Sequence, residues 1–109
     1  MRAHCAIRRA PHATVIAARG EIDLSSCVRL RERLLARGGQ GTTVLDLAGV
    51  GFCNLAGLKV LFEADRLART GGSLLRFAAV PPAVSRVLEL AGAVELFEQF
   101  PDVEAALKD

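Results

Sequence analysis

The sequence predicts a single α/β domain with a mixed, mostly parallel sheet, an antiparallel hairpin at its N-terminal end and about four helices. Short apolar runs alternate with helical periodicities of ten to fifteen residues, which is typical of strands joined by crossover connections. Paired glycines separate these units. The chain has 109 residues, of which 51% are hydrophobic. We therefore expect residues 1–109 to form one domain around one core.

The N-terminal part of the chain predicts a β-hairpin. Residues 5–7 and 14–18 are short apolar runs, and Pro11-His12 lies between them where a turn is expected. Residues 20–23 should end the second strand. Either Asp23 or Ser25 can then cap a first helix.

The first helix carries apolar residues at i, i+3 and i+7, namely Cys27, Leu30 and Leu34. Gly38-Gly39 should end it, because glycine favours the position after a helix. Residues 43–47 then predict a buried strand. Asp46 follows its apolar core, and we interpret this carboxylate as a turn residue that accepts hydrogen bonds from nearby backbone N–H groups.

The helix after Asn54 has the clearest periodicity in the sequence. Its apolar stripe at helical spacing consists of Gly57, Val60, Leu61, Ala64, Leu67 and Ala68. Asn54 is placed to cap this helix, and Asp65 and Arg69 form an i, i+4 pair on it. Gly71-Gly72 should end the helix. Cys53 precedes the cap; we expect it to pack as a small apolar residue and not to act as a reactive thiol.

The C-terminal third repeats the pattern. Residues 73–79 predict a strand, and Pro81-Pro82 opens a helix whose stripe is Val84, Val87, Leu88 and Ala91, with Gly92 behind it. Residues 96–100 predict a last short strand. Pro101-Asp102 starts a final helix with Val103, Ala106 and Leu107 on one face.

Composition argues against several classes of function. The formal charge is +2 and no Trp or Tyr is present, so nothing indicates nucleic-acid binding. Three cysteines at wide spacing, with His4 and His12, match no metal motif, and we expect a reduced, cytoplasmic chain without a cofactor. No apolar run approaches the roughly 20 residues of a membrane helix, so we expect no membrane insertion. No nucleophile or phosphate-cradle motif is present, which predicts a protein that is not an enzyme.

Residues 43–58 nevertheless carry a recognisable motif. The string Asp46-Leu47-Ala48, a short turn, and Phe52-Cys53-Asn54-Leu55-Ala56-Gly57-Leu58 resembles the signature of STAS domains, the family of bacterial anti-sigma-factor antagonists. Residues 20–23 resemble that family's Gly-x-Leu-Asp element, and residues 82–92 resemble its third helix. The resemblance covers nearly the whole chain and implies the single-domain STAS fold.

The resemblance also implies a function and a departure from it. Such proteins bind an anti-sigma factor, commonly a serine kinase, and in regulated members the serine just before the motif's glycine is phosphorylated. Here that position is Ala56, Leu55 precedes it, and Asn54 replaces an aspartate. The resemblance places partner binding at the helix start and the neighbouring loop, that is at Asp23, Ser25, Asn54, Leu55, Ala56 and Gly57.

Three outcomes remain open for a chain of this family without that serine. It is a constitutive antagonist, an antagonist controlled by its synthesis or by another ligand, or a scaffold outside sigma regulation. A further alternative is a cytoplasmic STAS subunit that docks on the ATPase of a lipid-transport ABC system. We expect a monomer or a weak dimer in each case.

Overall fold

Five strands form one sheet whose order in space is the order in the sequence. The structure, a computed structural model, describes residues 4–35 and 41–108. The strands are β1 (His4–Ala10), β2 (Ala13–Ile22), β3 (Thr42–Cys53), β4 (Leu74–Ala78) and β5 (Glu98–Phe100). β1 pairs antiparallel with β2, and each later pair of neighbours is parallel. The predicted hairpin and mixed sheet are therefore confirmed.

Four α-helices accompany these strands in the described residues: α1 (Leu24–Leu35), α2 (Leu55–Thr70), α3 (Pro82–Leu90) and α4 (Val103–Leu107). A 3-10 helix, Val94–Leu96, precedes β5. The predicted fold class is confirmed element by element. The predicted end of α1 at Gly38-Gly39 lies outside the described residues, as do the side chains of Cys27 and Leu34.

The sheet is packed on both faces. A larger apolar cluster holds α1, α2 and α3 on one face, around Ile16, Leu45 and Phe77. A smaller cluster holds α4 on the other face, where Ala106 packs among Val15, Val44 and Ala78. Neighbouring residues such as Val15 and Ile16 serve opposite faces, as strand geometry requires. We call the second face the α4 face.

β3 is longer than the sequence predicts. A turn was expected after residue 47, but the strand continues to Cys53 and stays paired with β2 as far as Ile22. Two register shifts, between Ala17 and Arg19 and between Gly20 and Glu21, absorb the irregular spacing. A β-bulge leaves no apolar pattern in the sequence, so periodicity does not show that β3 continues past residue 47. Asp46 is therefore a strand residue and not the predicted turn residue, although its Oδ1 atom does accept from a nearby backbone N–H, that of Ala48, at 3.1 Å.

The buried face of α2 differs slightly from the predicted stripe. Leu58 is fully buried with Leu61 and Ala64, whereas Leu67 is exposed. Asp65 is also buried and pairs with Arg69 at 3.3 Å, so the predicted pair is confirmed. Burial raises the pKa of the Asp65 carboxyl, and Arg69 opposes that shift only in part.

Gly57 is required by the packing of α2 on β2. A Cβ atom at this position would lie 2.8 Å from the Ile22 carbonyl oxygen, which belongs to the backbone and cannot move aside alone. A Cβ at Gly51, by contrast, would meet nothing within 4 Å. The helix can approach the strand this closely only because residue 57 has no side chain.

We expect Gly57→Ala to destabilise the fold by roughly 1–3 kcal/mol, although alanine favours helices over glycine by about 1 kcal/mol. The added methyl must push α2 away from β2. Chemical denaturation followed by circular dichroism measures this, and Gly51→Ala is the matched control with little expected change. Equal stability of both variants would show that α2 does not press on Ile22.

Candidate partner-binding site

Two helix N-termini meet at one end of the sheet. β2 and β3 are neighbouring parallel strands, and each leads through a single residue into a helix, β2 through Asp23 into α1 and β3 through Asn54 into α2. The Asn54 N–H donates to the Ile22 carbonyl oxygen at 3.0 Å and ties the two junctions together. The carboxyl end of a sheet is a common place for recognition.

Asn54 caps α2 as predicted. Its backbone is extended, and its Oδ1 accepts from the Gly57 N–H at 2.9 Å. The first turn of α2 contains no acidic residue. An uncharged side chain therefore caps the positive end of this helix dipole.

Asp23 caps α1. Its Oδ1 accepts from the Ser26 N–H at 2.9 Å, and the Ser26 hydroxyl in return accepts from the Asp23 N–H at 3.0 Å. The same hydroxyl donates to the Glu21 carbonyl at 2.7 Å. The hydrogen bonds that the Asp23 carboxyl accepts, first of all the one from the Ser26 backbone N–H, lower its pKa. Of the two predicted caps Asp23 is the correct one, and the reciprocal role of Ser26 was missed.

The surface beside these caps is apolar and uncharged. Phe52 and Leu55 are 46% and 48% exposed, and Ala56 is exposed between Leu55 and the buried Gly57. We call Phe52, Leu55 and Ala56 the entry surface of α2. Ser25 is exposed in the first turn of α1. Of the predicted partner-binding residues, Gly57 is the one that is buried.

Cys53 is a packing residue, as expected. It is 7% exposed within the larger cluster, and burial raises the pKa of its thiol to about 11. Such a thiol is not ionised near neutral pH. In the part of the chain that the structure describes, no three His, Cys, Asp or Glu side chains come together as a metal site. No helix within residues 4–35 and 41–108 is both long and apolar enough to cross a membrane.

Residues 5–98 match a family model described as "Mlab, STAS domain". The chain belongs to the STAS family. An anti-sigma factor antagonist from Mycobacterium paratuberculosis is 25% identical to this STAS domain, with a TM-score of 0.82 over 96% of this chain and 91% of that one. No curated protein matches the sequence significantly.

Two further solved structures share the fold at lower identity. An anti-sigma-factor antagonist (STAS) domain protein from Planctomyces limnophilus is 18% identical, with a TM-score of 0.78 over 94% of both chains. The anti-sigma factor antagonist SpoIIAA in its unphosphorylated form is 16% identical, with a TM-score of 0.77 over 95% of this chain and 93% of that one. The resemblance stated from the sequence is thereby confirmed.

We expect Asn54→Ala to destabilise the STAS domain by roughly 1 kcal/mol, because the Gly57 N–H loses its acceptor. Asn54→Asp should be neutral or slightly stabilising, since a carboxylate at the start of a helix interacts favourably with its dipole. Chemical denaturation followed by circular dichroism suits a chain without Trp or Tyr. Three equally stable proteins would contradict the capping role.

Proposed function

We propose that this STAS domain acts by binding a protein partner, and that the partner is an anti-sigma factor of the serine-kinase type. The observation that carries the proposal is the entry surface: an exposed, uncharged helix start at the position where we expect partner contact from the STAS resemblance. The similarity to the Mycobacterium paratuberculosis antagonist along 96% of this chain supports it. Binding of this kind would regulate sigma-dependent transcription in a bacterial cytoplasm.

The chemistry of the entry surface suits a protein partner. Phe52 and Leu55 present large apolar side chains to solvent, and contact with a partner would remove that area from water. Asp23 and Ser25 add polar groups beside them at the start of α1. An apolar centre with polar neighbours is the usual anatomy of a protein interface. We further propose that the domain has no catalytic role.

The serine that is phosphorylated in regulated members of the family is absent from this surface. Residues 52–58 contain no Ser, Thr or Tyr, so no hydroxyl is available for phosphorylation there. A phosphate would add about two negative charges at the contact and break it. We therefore propose that the binding form is permanent, and that control is exerted through the amount of protein or through another ligand.

Docking on the ATPase of a lipid-transport ABC system is the second candidate function. The description of the matching family model names Mlab beside STAS and does not mention an anti-sigma-factor antagonist. Affinity purification with the wild-type domain, with an Ala56→Glu bait as the negative control, separates the two candidates by the kind of protein retained.

We expect Ala56→Glu to lower affinity for the partner at least a hundredfold, because the contact would remove the added carboxylate from water. Isothermal titration against the purified partner measures this, and circular dichroism verifies the fold. Ala91→Glu is the matched control, since Ala91 is exposed after the end of α3, which runs back from the carboxyl end of the sheet. Unchanged affinity of folded Ala56→Glu would move the interface away from the entry surface.

Incubation with ATP and a cognate anti-sigma kinase should leave the domain unmodified. Intact-mass spectrometry gives the answer, with a phosphorylatable STAS protein of the same kinase as the positive control. A stoichiometric phosphate would have to lie outside residues 52–58, for instance on Ser25, Ser26 or Thr43. That result would contradict a permanent binding form and would show that the phosphorylation site lies on another residue.

A further inference from the structure

The charges of the chain are separated across its sheet. Residues 4–35 carry six arginines and three carboxylates, whereas residues 41–108 carry six cationic and eight acidic side chains. Because the strands lie in sequence order, the first segment contains the β1 edge of the sheet and the second contains the β5 edge. The β1 side is therefore basic and the β5 side is acidic, although the net charge is small.

Both edges of the sheet are open among the described residues. β1 pairs only with β2, and β5 pairs only with β4. An edge strand presents unpaired backbone N–H and C=O groups that can pair with another strand. β1 has seven residues and exposes Arg8 and Arg9, which oppose the pairing of β1 with the β1 strand of a second copy.

The β5 edge of a second copy is acidic and can therefore attract these arginines. On β5, Glu98 lies opposite Arg76 of β4, whose Nε donates to the Glu98 Oε1 at 3.3 Å and whose guanidinium also donates to the Ala106 carbonyl of α4. Glu98 is thus on the α4 face, and because its side chain is half exposed, its carboxylate can be shared with a second cation. On β1, Arg8 lies opposite Val15, which packs in the α4-face cluster. Arg8 and Glu98 therefore occupy the same face of the sheet, at opposite edges.

The strand directions also fit. β1 is antiparallel to β2, while β5 has the same direction as β2, β3 and β4. A second copy placed beside the first in the same orientation brings its β1 against β5 as an antiparallel pair. Antiparallel pairing allows residues directly opposite each other on one face to interact.

We propose that copies of this chain associate head to tail, with β1 of one copy added to β5 of the next and with Arg8 paired to Glu98 across the junction. The contact uses different surfaces on its two sides, so it does not give a symmetric dimer; it extends with concentration, or closes as a ring of more than two copies. This differs from the monomer or weak dimer that the sequence leads us to expect. It lies apart from the entry surface of α2 and does not depend on the proposed partner. The three residues of β5 limit its strength.

Sedimentation velocity over a concentration series tests the proposal. In about 10 mM salt the weight-average mass should rise beyond that of a dimer, and in about 1 M salt it should return toward the monomer, because screening removes the attraction between exposed charges. A protein that stays monomeric in low salt, or that stops at a dimer, overturns the proposal.

Charge reversal supplies the sharper test. Arg8→Glu and Glu98→Lys should each weaken association at least tenfold, and an equimolar mixture of the two variants should restore it, because every junction then has opposite charges. Retained association of either single variant, or a mixture that stays monomeric, overturns the proposal. Glu98→Gln is a second variant, which removes the carboxylate without adding a cation beside Arg76. Circular dichroism verifies that each protein is folded.

Discussion

The close contact between the start of α2 and the end of β2 is the constraint on which the site depends. The Asn54 N–H binds the Ile22 carbonyl, and Gly57 lets the helix backbone approach that same carbonyl. One oxygen atom at the end of one strand thus fixes where the neighbouring helix begins. Because Ile22 also precedes the cap of α1, the same contact sets the spacing between the two helix starts.

This arrangement explains how an exposed apolar surface can be held in a defined shape. Leu55 and Ala56 are exposed, yet the residues on either side of them are fixed, Asn54 by its hydrogen bonds with Ile22, Gly57 and Leu58, and Gly57 by burial. Preorganised groups lose less conformational entropy on binding than mobile ones. A surface of this kind needs no charge to be specific, since its shape is already determined by the packing beneath it.

The sequence predicts most of this structure because most of it rests on local signals. Apolar periodicity locates α2, and a capping side chain three residues before a small residue locates its start. The extension of β3 to Cys53 could not be predicted in this way, because it depends on bulges in the pairing with β2. The burial of Asp65 is equally invisible to a periodicity analysis that places polar residues on the solvent side.

The sequence predicts where the entry surface lies but not every side chain that forms it. Asn54, Leu55 and Ala56 follow from the STAS motif, whereas the exposure of Phe52 depends on how the end of β3 lies against β2. The choice of Asp23 over Ser25 as a cap depends on the reciprocal hydrogen bonds of Ser26, which require the folded turn. The residue types therefore locate the start of a helix, and tertiary packing decides which side chains around it are exposed. Since Ala56 has no hydroxyl and Asn54 has no carboxylate, the side chains of the entry surface carry no charge of their own, and charges near it belong to the Asp23 cap of α1 and to the exposed Lys59 on α2.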